Sequence, residues 1–203
     1  MSLISKPVFL IDGAPLGFSW DVVSALLDRG SKFIVAVKSA DGKWEQEFVK
    51  QIRKSNGDGI AVDPPERTAS GITQMLDKGL SRYGRLNGIM YFRHMKTNNA
   101  AQFLDDCQNK ILPGVKSTHE IYESLLKPRG ESYRTFLILS GLPYDDSRHL
   151  IQDKIQEEAG DQLTCLYTGL PLKSNPFLSA DQATDKETLS WLVSKIQSYY
   201  PPS

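Results

Sequence analysis

The chain has 203 residues, of which 40% are hydrophobic, enough to enclose one substantial core. We therefore expect a single domain over residues 1–203. Its 24 basic and 24 acidic residues cancel, which argues against nucleic acid or an anionic membrane as a partner and favours small molecules or proteins.

The cysteines and the first residues argue against further classes of protein. Cys107 and Cys165 fall in different predicted elements without metal-ligand spacing, which favours a reducing, cytoplasmic setting and no metal site. Residues 1–7 lack the pattern of a signal peptide, and no window approaches the ~18 apolar residues of a membrane span. We expect a soluble, cytoplasmic protein without a membrane partner.

Buried strands and amphipathic helices alternate along the chain. The apolar run Val8–Ile11 predicts a strand that ends at Asp12. The next helix takes Ser19 or Asp21 as its cap and ends at Gly30. The later predicted strands are 33–37, 59–63, 86–92, 135–139 and 163–167, and the later helices are 44–54, 68–83, 100–126 with an interruption near 113–114, 148–159 and 184–199. This alternation predicts an α/β, Rossmann-like fold: a doubly wound parallel sheet of about six strands with helices on both faces.

Ligands of doubly wound sheets bind outside the carboxyl ends of the strands. The residues that follow the predicted strands are therefore candidates for a site. They are Asp12-Gly13, Lys38, Asp63, Arg93-His94, Ser140-Gly141 and Thr168-Gly169.

The turn after the first strand resembles the dinucleotide loop of the short-chain dehydrogenase/reductase (SDR) family. Residues 12–19 stand where the family has Thr-Gly-x-x-x-Gly-x-Gly, with Gly13 and Gly17 matching and Asp12 departing. Ser19 also departs, but it is similar to the serine of the SDR branch that contains enoyl-acyl carrier protein reductases. Together with the motifs that follow, the resemblance covers about residues 6–195.

Further segments follow the family pattern in the same order. Asp63 resembles the aspartate that SDRs place beside the adenine ring. Residues 83–89 resemble the phrase that leads into the Asn-Asn-Ala-Gly motif, which Tyr91–His94 replaces here. The resemblance implies an SDR-type fold, and the dinucleotide-binding residues that the strand ends and the resemblance suggest are Gly13, Gly17, Ser19, Lys38 and Asp63.

Whether a cofactor binds stays open at the level of sequence. Pro15 removes one backbone N–H from the turn, and Asp12 puts a carboxylate near the place of an anion. The turn is therefore either structural, with no cofactor, or a binding loop. In the second case Lys38 suits the 2′-phosphate of NADP, although a solvated lysine explains it as well.

The catalytic part of the family pattern is missing. Ile111 stands at the position of the family's catalytic asparagine, and Gly141 at that of its serine. The resemblance implies a Tyr-x-x-x-Lys pair beyond the fifth strand, but Tyr144 is followed four positions on by Arg148, and Lys154 has no tyrosine four before it. About a dozen residues of that segment are absent. We therefore predict a degenerate SDR without ordinary carbonyl reduction.

Four residues are candidates for other chemistry. His94 follows a strand directly, where a neutral imidazole could act as general acid or base; the alternative is a surface loop histidine. Ser140, Tyr144 and Asp145 cluster in the loop after the fifth strand, which faces the substrate in relatives. The acid Asp145 serves equally well as a helix cap.

The helix over residues 100–126 carries an apolar stripe of Ile121, Tyr122, Leu125 and Leu126. In the SDR family this helix packs against its copy in a dimer. Packing within one chain explains the stripe just as well, so a homodimer is a possible but open expectation.

Three functions follow. The leading hypothesis is a non-redox enzyme, of cyclase, isomerase or dehydratase type, acting on a pathway intermediate. The second is a pseudoenzyme or scaffold that binds a partner enzyme. The third is an NADP-dependent oxidoreductase with an atypical proton donor such as Tyr144.

Overall fold

The computed structural model describes residues 6–12, 17–36, 43–63, 69–95, 99–130, 132–140, 148–161, 163–167 and 186–200. The strands are β1 Val8–Asp12, β2 Lys32–Ala36, β3 Asp58–Val62, β4 Gly88–His94, β5 Arg134–Ser140 and β6 Leu163–Tyr167. The helices are α1 Gly17–Leu27, α2 Lys43–Lys54, α3 Ala69–Tyr83, α4 Ala100–Asp106, α5 Leu112–Leu126, α6 Arg148–Ala159 and α7 Lys186–Gln197. A π-helical turn, Cys107–Ile111, joins α4 to α5.

The six strands form one parallel sheet in the order β3-β2-β1-β4-β5-β6. This order confirms the doubly wound fold expected from the alternation of strands and helices. It reverses between β1 and β4, so the chain leaves these two neighbouring strands toward opposite faces of the sheet. A crevice forms at such a switch point.

Two layers of helices cover the sheet. Val8 and Leu10 face the layer formed by α3, α4, α5 and α6, here called the α3–α6 layer. Phe9 and Ile11 face the layer formed by α1, α2 and α7, here called the α1–α7 layer. Because side chains alternate along a strand and both faces are covered, every position of β1 is buried.

The interruption of the long helix lies earlier than the sequence suggested. It is the π-helical turn Cys107–Ile111, in which the N–H of Leu112 donates to the carbonyl oxygen of Cys107. Pro113 instead occupies the first turn of α5. Proline is well tolerated there because the first backbone N–H groups of a helix have no intrahelical partner, so Pro113 does not break the helix.

A side chain covers the outer edge of β6. The N–H of Cys165 donates to Oε1 of Gln156 at 2.8 Å, and Nε2 of Gln156 donates to the carbonyl oxygen of Leu163 at 2.8 Å. Nε2 also donates to the carbonyl oxygen of Gly160. These groups of β6 point away from β5, and within the described residues no further strand follows β6 in the sheet. Gln156 therefore occupies backbone groups that would otherwise be free to pair with another strand.

The described residues show no feature of a membrane span or of a metal cluster. None of the helices in the described ranges has the length and apolar character needed to cross a bilayer. The same residues contain no group of three or more acidic, histidine or cysteine side chains arranged for a metal ion. Cys107 and Cys165 are buried free thiols, and burial raises the pKa of each to about 12, so both stay protonated near neutral pH.

Candidate functional site

The candidate site is the crevice between the ends of β1 and β4, here called the carboxyl-edge crevice. β1 pairs with β4 as far as Ile11 opposite Met90 and ends at Asp12, whereas β4 continues to His94. Asp12 is level with Tyr91, so β4 runs three residues beyond the end of β1, which corresponds to about 10 Å of extended strand. β4 and β5 therefore rise beyond β1 and form one wall of the crevice.

The first helix begins closer to β1 than the sequence predicted. Its first residue is Gly17, so Ser19 and Asp21 lie inside the helix and neither is its N-cap. The apolar periodicity that located the helix starts only at Val22, because the first turn does not need apolar residues. Ser19 is fully buried, and Gly13 lies outside the described residues. Because α1 follows the carboxyl end of β1, its N-terminal N–H groups point toward the carboxyl edge of the sheet.

The carboxylate of Asp12 lies in the core, away from the turn that follows it. Asp12 is 2% exposed, and its Oδ2 accepts a hydrogen bond from the hydroxyl of Tyr122 on α5 at 3.1 Å. The alternation of side chains along β1 places Asp12 on the same face as Leu10, toward the α3–α6 layer. The expectation that this carboxylate would oppose an anion at the turn therefore loses its geometric basis.

The far side of the site is marked by Asp63. It follows β3 directly and is exposed, at the carboxyl edge and two strands away from β1. Parallel strands are about 4.8 Å apart, so the separation between β3 and β4 is about 14 Å. An elongated ligand could span this distance. Lys38 lies outside the described residues.

Two of the predicted catalytic residues are neighbours. His94 and Ser140 are register partners at the ends of β4 and β5, and the N–H of Met95 donates to the carbonyl oxygen of Ser140 at 2.9 Å. Ser140 is fully buried, which favours a role in holding the end of β5 over contact with a ligand. Its catalytic role stays a prediction, as does that of His94. Tyr144 and Asp145 lie outside the described residues.

The π-helical turn brings no polar group to the position of the missing asparagine. Ile111 packs against the core of the α3–α6 layer. The neighbouring Cys107 is buried, with its Sγ 3.6 Å from Sδ of Met95 directly after β4. The turn thus packs apolar and sulfur atoms beside the end of β4.

The described part of the helix after β5 carries no phenol and ammonium at i and i+4. α6 begins at Arg148, and Lys154 is exposed. The residue four positions before Lys154 is Leu150, whose side chain is 67% exposed. A proton donor of the Tyr-x-x-x-Lys kind is therefore absent from α6.

His119 lies at the amino edge of the sheet, opposite the edge at which His94 ends β4. Its Nδ1 is 2.9 Å from Oγ1 of Thr135, and both side chains are buried. They line a cleft of about 530 Å³ at the amino ends of β5 and β6, together with Tyr133 and Glu123. Only the tertiary structure shows this pairing, because the two residues lie on a helix and a strand.

We expect His119 to make stability depend on pH. Burial lowers the pKa of His119 from its ordinary 6.5, and Glu123 and Glu120 offset this only in part. Between about pH 6.5 and the lowered pKa the unfolded chain therefore binds more protons than the folded chain, and the free energy of unfolding falls as the pH drops through that interval. Urea unfolding of the wild type and His119→Gln at pH 7 and pH 5 checks this. The variant should lose less stability between the two pH values, and an equal loss would contradict the assignment.

The apolar stripe of α5 packs within the chain. Tyr122 and Leu126 are almost fully buried, and Ile121 and Leu125 pack against the core of the α3–α6 layer. The exposed positions of α5 include Lys116, Ser117 and Glu120. The stripe is thus explained by core packing, and a homodimer stays a prediction.

Comparison with known proteins supports the fold. No protein-family model matches the chain. A 1-cyclohexenylcarbonyl-CoA reductase from Streptomyces collinus is 30% identical over 96 residues, 47% of this chain and 32% of that protein. The chain therefore spans about a third of this curated relative.

Solved structures extend the likeness to nearly the whole chain. A short-chain dehydrogenase/reductase from Serratia marcescens matches with a TM-score of 0.55 at 14% identity, over 98% of this chain and 94% of that one. A doubly substituted form of the Serratia enzyme matches with a TM-score of 0.54 over the same shares. The likeness at this identity establishes a shared fold.

Proposed function

We propose that this chain, which has the fold of the short-chain dehydrogenases/reductases, binds NADP in the carboxyl-edge crevice and is an oxidoreductase with an atypical proton donor. The observation that carries the proposal is the position of Asp12. Its carboxylate lies under α5, so the N-terminus of α1 meets the crevice without that side chain in between. The positive end of a helix dipole, at its N-terminus, favours a pyrophosphate.

The residues present fit a dinucleotide laid across the switch point. Gly13 and Gly17 would approach the pyrophosphate, Asp63 would lie beside the adenine ring, and Lys38 would suit the 2′-phosphate. The exposure of Asp63 leaves it available for this role. When bound, NADPH supplies a hydride to the substrate.

The proton must come from this chain or from water, and α6 offers no phenol beside an amine. We assign the proton to His94, the last residue of β4, because imidazole donates and accepts protons near neutral pH. Its register partner Ser140 fixes the neighbouring strand end. Tyr144 is the alternative donor that the sequence suggests.

The absence of a phenol beside an amine on α6 also bears on the class of substrate. Reduction of a carbonyl requires a proton at oxygen, the task of the missing phenol. Reduction of an alkene conjugated to a thioester requires a proton at carbon instead, so that hydride and proton together saturate the double bond. The name of the Streptomyces reductase describes such a compound. We therefore propose an α,β-unsaturated acyl thioester as substrate.

A second candidate is a non-redox enzyme acting on a pathway intermediate, such as an isomerase, cyclase or dehydratase. The absence of a Tyr-x-x-x-Lys pair from α6 and the adjacency of His94 and Ser140 favour it. In that case His94 moves a proton within the substrate, and NADPH is not consumed.

A thermal-shift titration with NADPH and NADH tests the cofactor. We expect NADPH at about 100 times its dissociation constant to add roughly 2.7 kcal/mol of stability. For a chain of this size that corresponds to an increase in Tm of about 5–10 °C. NADH at the same concentration should give a smaller shift, because it lacks the phosphate that Lys38 would contact.

Absorbance at 340 nm with 1-cyclohexenylcarbonyl-CoA as probe then separates the candidates. Oxidation of NADPH supports the reductase. If NADPH binds but is not oxidised, either with this thioester or with simple ketones as substrate, the result favours the non-redox enzyme. The absence of any shift with either nucleotide would eliminate the proposed cofactor and leave the non-redox enzyme and the scaffold as candidates.

A further inference from the structure

We propose that the cleft at the amino ends of β5 and β6, here called the amino-edge cleft, binds a free α-amino acid as a zwitterion. The cleft has a volume of about 530 Å³, and the side chains that line it include His119, Glu123, Lys127 and Asp161. Sites for small molecules have volumes of about 300–1,000 Å³. The cleft lies at the opposite edge of the sheet from the carboxyl-edge crevice, so the proposal is independent of the proposed dinucleotide.

His119 presents a hydrogen-bond donor to the cleft. The hydroxyl of Thr135 is buried, and within the described residues its hydrogen-bond partner is Nδ1 of His119 alone. A buried hydroxyl proton without an acceptor is costly, so the hydroxyl donates to Nδ1 and the ring carries its own proton on Nε2. Burial lowers the pKa of His119, which keeps the ring neutral near pH 7. His119 is 6% exposed and no described residue accepts from Nε2, so this N–H is available to a ligand in the cleft.

Three charged side chains accompany this donor. Glu123 and Lys127 follow His119 at intervals of four residues, so they lie on the same face of α5 and the turn after it. Oε1 of Glu123 and Nζ of Lys127 are 3.9 Å apart, which is too long for a hydrogen bond. Asp161, in the turn between α6 and β6, is exposed and makes no hydrogen bond or ion pair with a described residue. All three groups therefore keep hydrogen-bonding capacity for a ligand.

Arg134 does not add its charge to this set, although it also lines the cleft. Its side chain alternates with that of Thr135 along β5 and therefore points to the other face of the sheet. There the guanidinium lies 4.5 Å from the centroid of the Tyr199 ring. Among the described residues, the charges directed at the cleft are thus two carboxylates and one ammonium.

An α-amino acid carries the charges that match this arrangement. Its ammonium group can donate to the carboxylates of Glu123 and Asp161, and its carboxylate can accept from Nε2 of His119 and Nζ of Lys127. A simple amine leaves the two donors without an acceptor, and a simple carboxylate faces two like charges. A ligand with both charges pairs all four groups.

Isothermal titration calorimetry of the full chain at pH 7 tests the class of ligand. The probes are L-phenylalanine, whose side chain adds no charge, and two analogues that each lack one of its charges, phenethylamine and 3-phenylpropanoate. We expect the amino acid to bind at least about tenfold more tightly than either analogue, because each analogue leaves two of the four groups unpaired. An analogue that binds as tightly as L-phenylalanine, or no binding of L-phenylalanine, would overturn the proposal.

Variants of α5 and of the turn after it test whether the amino acid occupies the cleft. Glu123→Gln and Lys127→Met should each weaken the binding of L-phenylalanine about tenfold, because each removes one charge-assisted hydrogen bond. Glu120→Gln is the matched control, since Glu120 is an exposed carboxylate of the same helix that does not line the amino-edge cleft. Its dissociation constant should stay within about twofold of the wild-type value, because exposed charges are screened. An equal loss in Glu120→Gln and Glu123→Gln would indicate nonspecific attraction and overturn the proposal.

The tautomer of His119 gives a readout that does not depend on affinity. In nitrogen NMR spectra assigned with His119→Gln, the proton should reside on Nε2, and the Nε2 resonance should shift when L-phenylalanine is added. A proton on Nδ1, or a resonance that does not respond, would contradict the donor role and overturn the site. Binding of L-phenylalanine and binding of NADPH are measured separately, so failure of the proposed cofactor leaves this test intact.

Discussion

Replacing His94 by alanine is expected to lower the rate of NADPH oxidation with 1-cyclohexenylcarbonyl-CoA by about 100-fold or more, the usual contribution of a general acid. The melting temperature should change little, because His94 ends a strand whose preceding residues Tyr91 and Phe92 already supply the core contacts. The measurement is the turnover number of purified protein, with thermal unfolding of the same sample. Should the non-redox candidate hold, the same variant should abolish conversion of its substrate.

The control for this result is His119→Gln, which removes a histidine far from the crevice. His119 pairs with Thr135 at the amino ends of the strands, so its loss should affect stability and leave the turnover number per folded molecule near that of the wild type. Wild-type turnover by His94→Ala would discard His94 as the catalytic acid. Tyr144 would then be the next residue to replace.

The second large effect is expected from Gln156→Leu. Leucine has similar size but cannot bond the N–H of Cys165 or the carbonyl oxygens of Leu163 and Gly160. Leaving these groups unsatisfied should lower the free energy of unfolding by about 1–3 kcal/mol. The uncovered edge of β6 should also promote association between copies of the chain. Urea unfolding and analytical ultracentrifugation measure the two effects.

Gln108→Leu provides the comparison for the added apolar surface. Its side chain is exposed and its Nε2 bonds only weakly, at 3.3 Å, to the exposed carboxylate of Glu158. We expect this variant to unfold near the wild-type urea concentration and to sediment as the wild type does. If Gln156→Leu behaved in the same way, the edge of β6 would not depend on this carboxamide.

The order of strands and helices was predictable because it depends on local patterns. A strand covered on both faces is apolar at every position, and Val8–Asp12 shows this except for its last residue. The bounds of α6 and β6 agree with the prediction to the residue. The start of α1 and the break before α5 were misplaced, since a first helical turn and a π-helical turn leave no periodic apolar signal.

The site was predictable only in outline. Strand ends located His94, Ser140 and Asp63, because the carboxyl ends of parallel strands share one edge. The sequence did not show how far each side chain is exposed. Ser140 ends an apolar strand and is buried, whereas Asp63 follows a similar apolar run and is exposed. Tyr122 was read as part of an apolar stripe, and nothing in its neighbourhood indicated that its hydroxyl meets Asp12.

The amino-acid sequence by itself determined the doubly wound sheet and the absence of a Tyr-x-x-x-Lys pair, because both depend on residues close together in the chain. Tertiary structure alone decided the direction of Asp12, the pairing of His119 with Thr135 and the cover that Gln156 gives to β6. Each of these depends on which distant side chain supplies a hydrogen-bonding partner once the helices pack on the sheet. Burial makes such partners decisive, since an unpaired polar group in the core costs more than the hydrogen bond contributes.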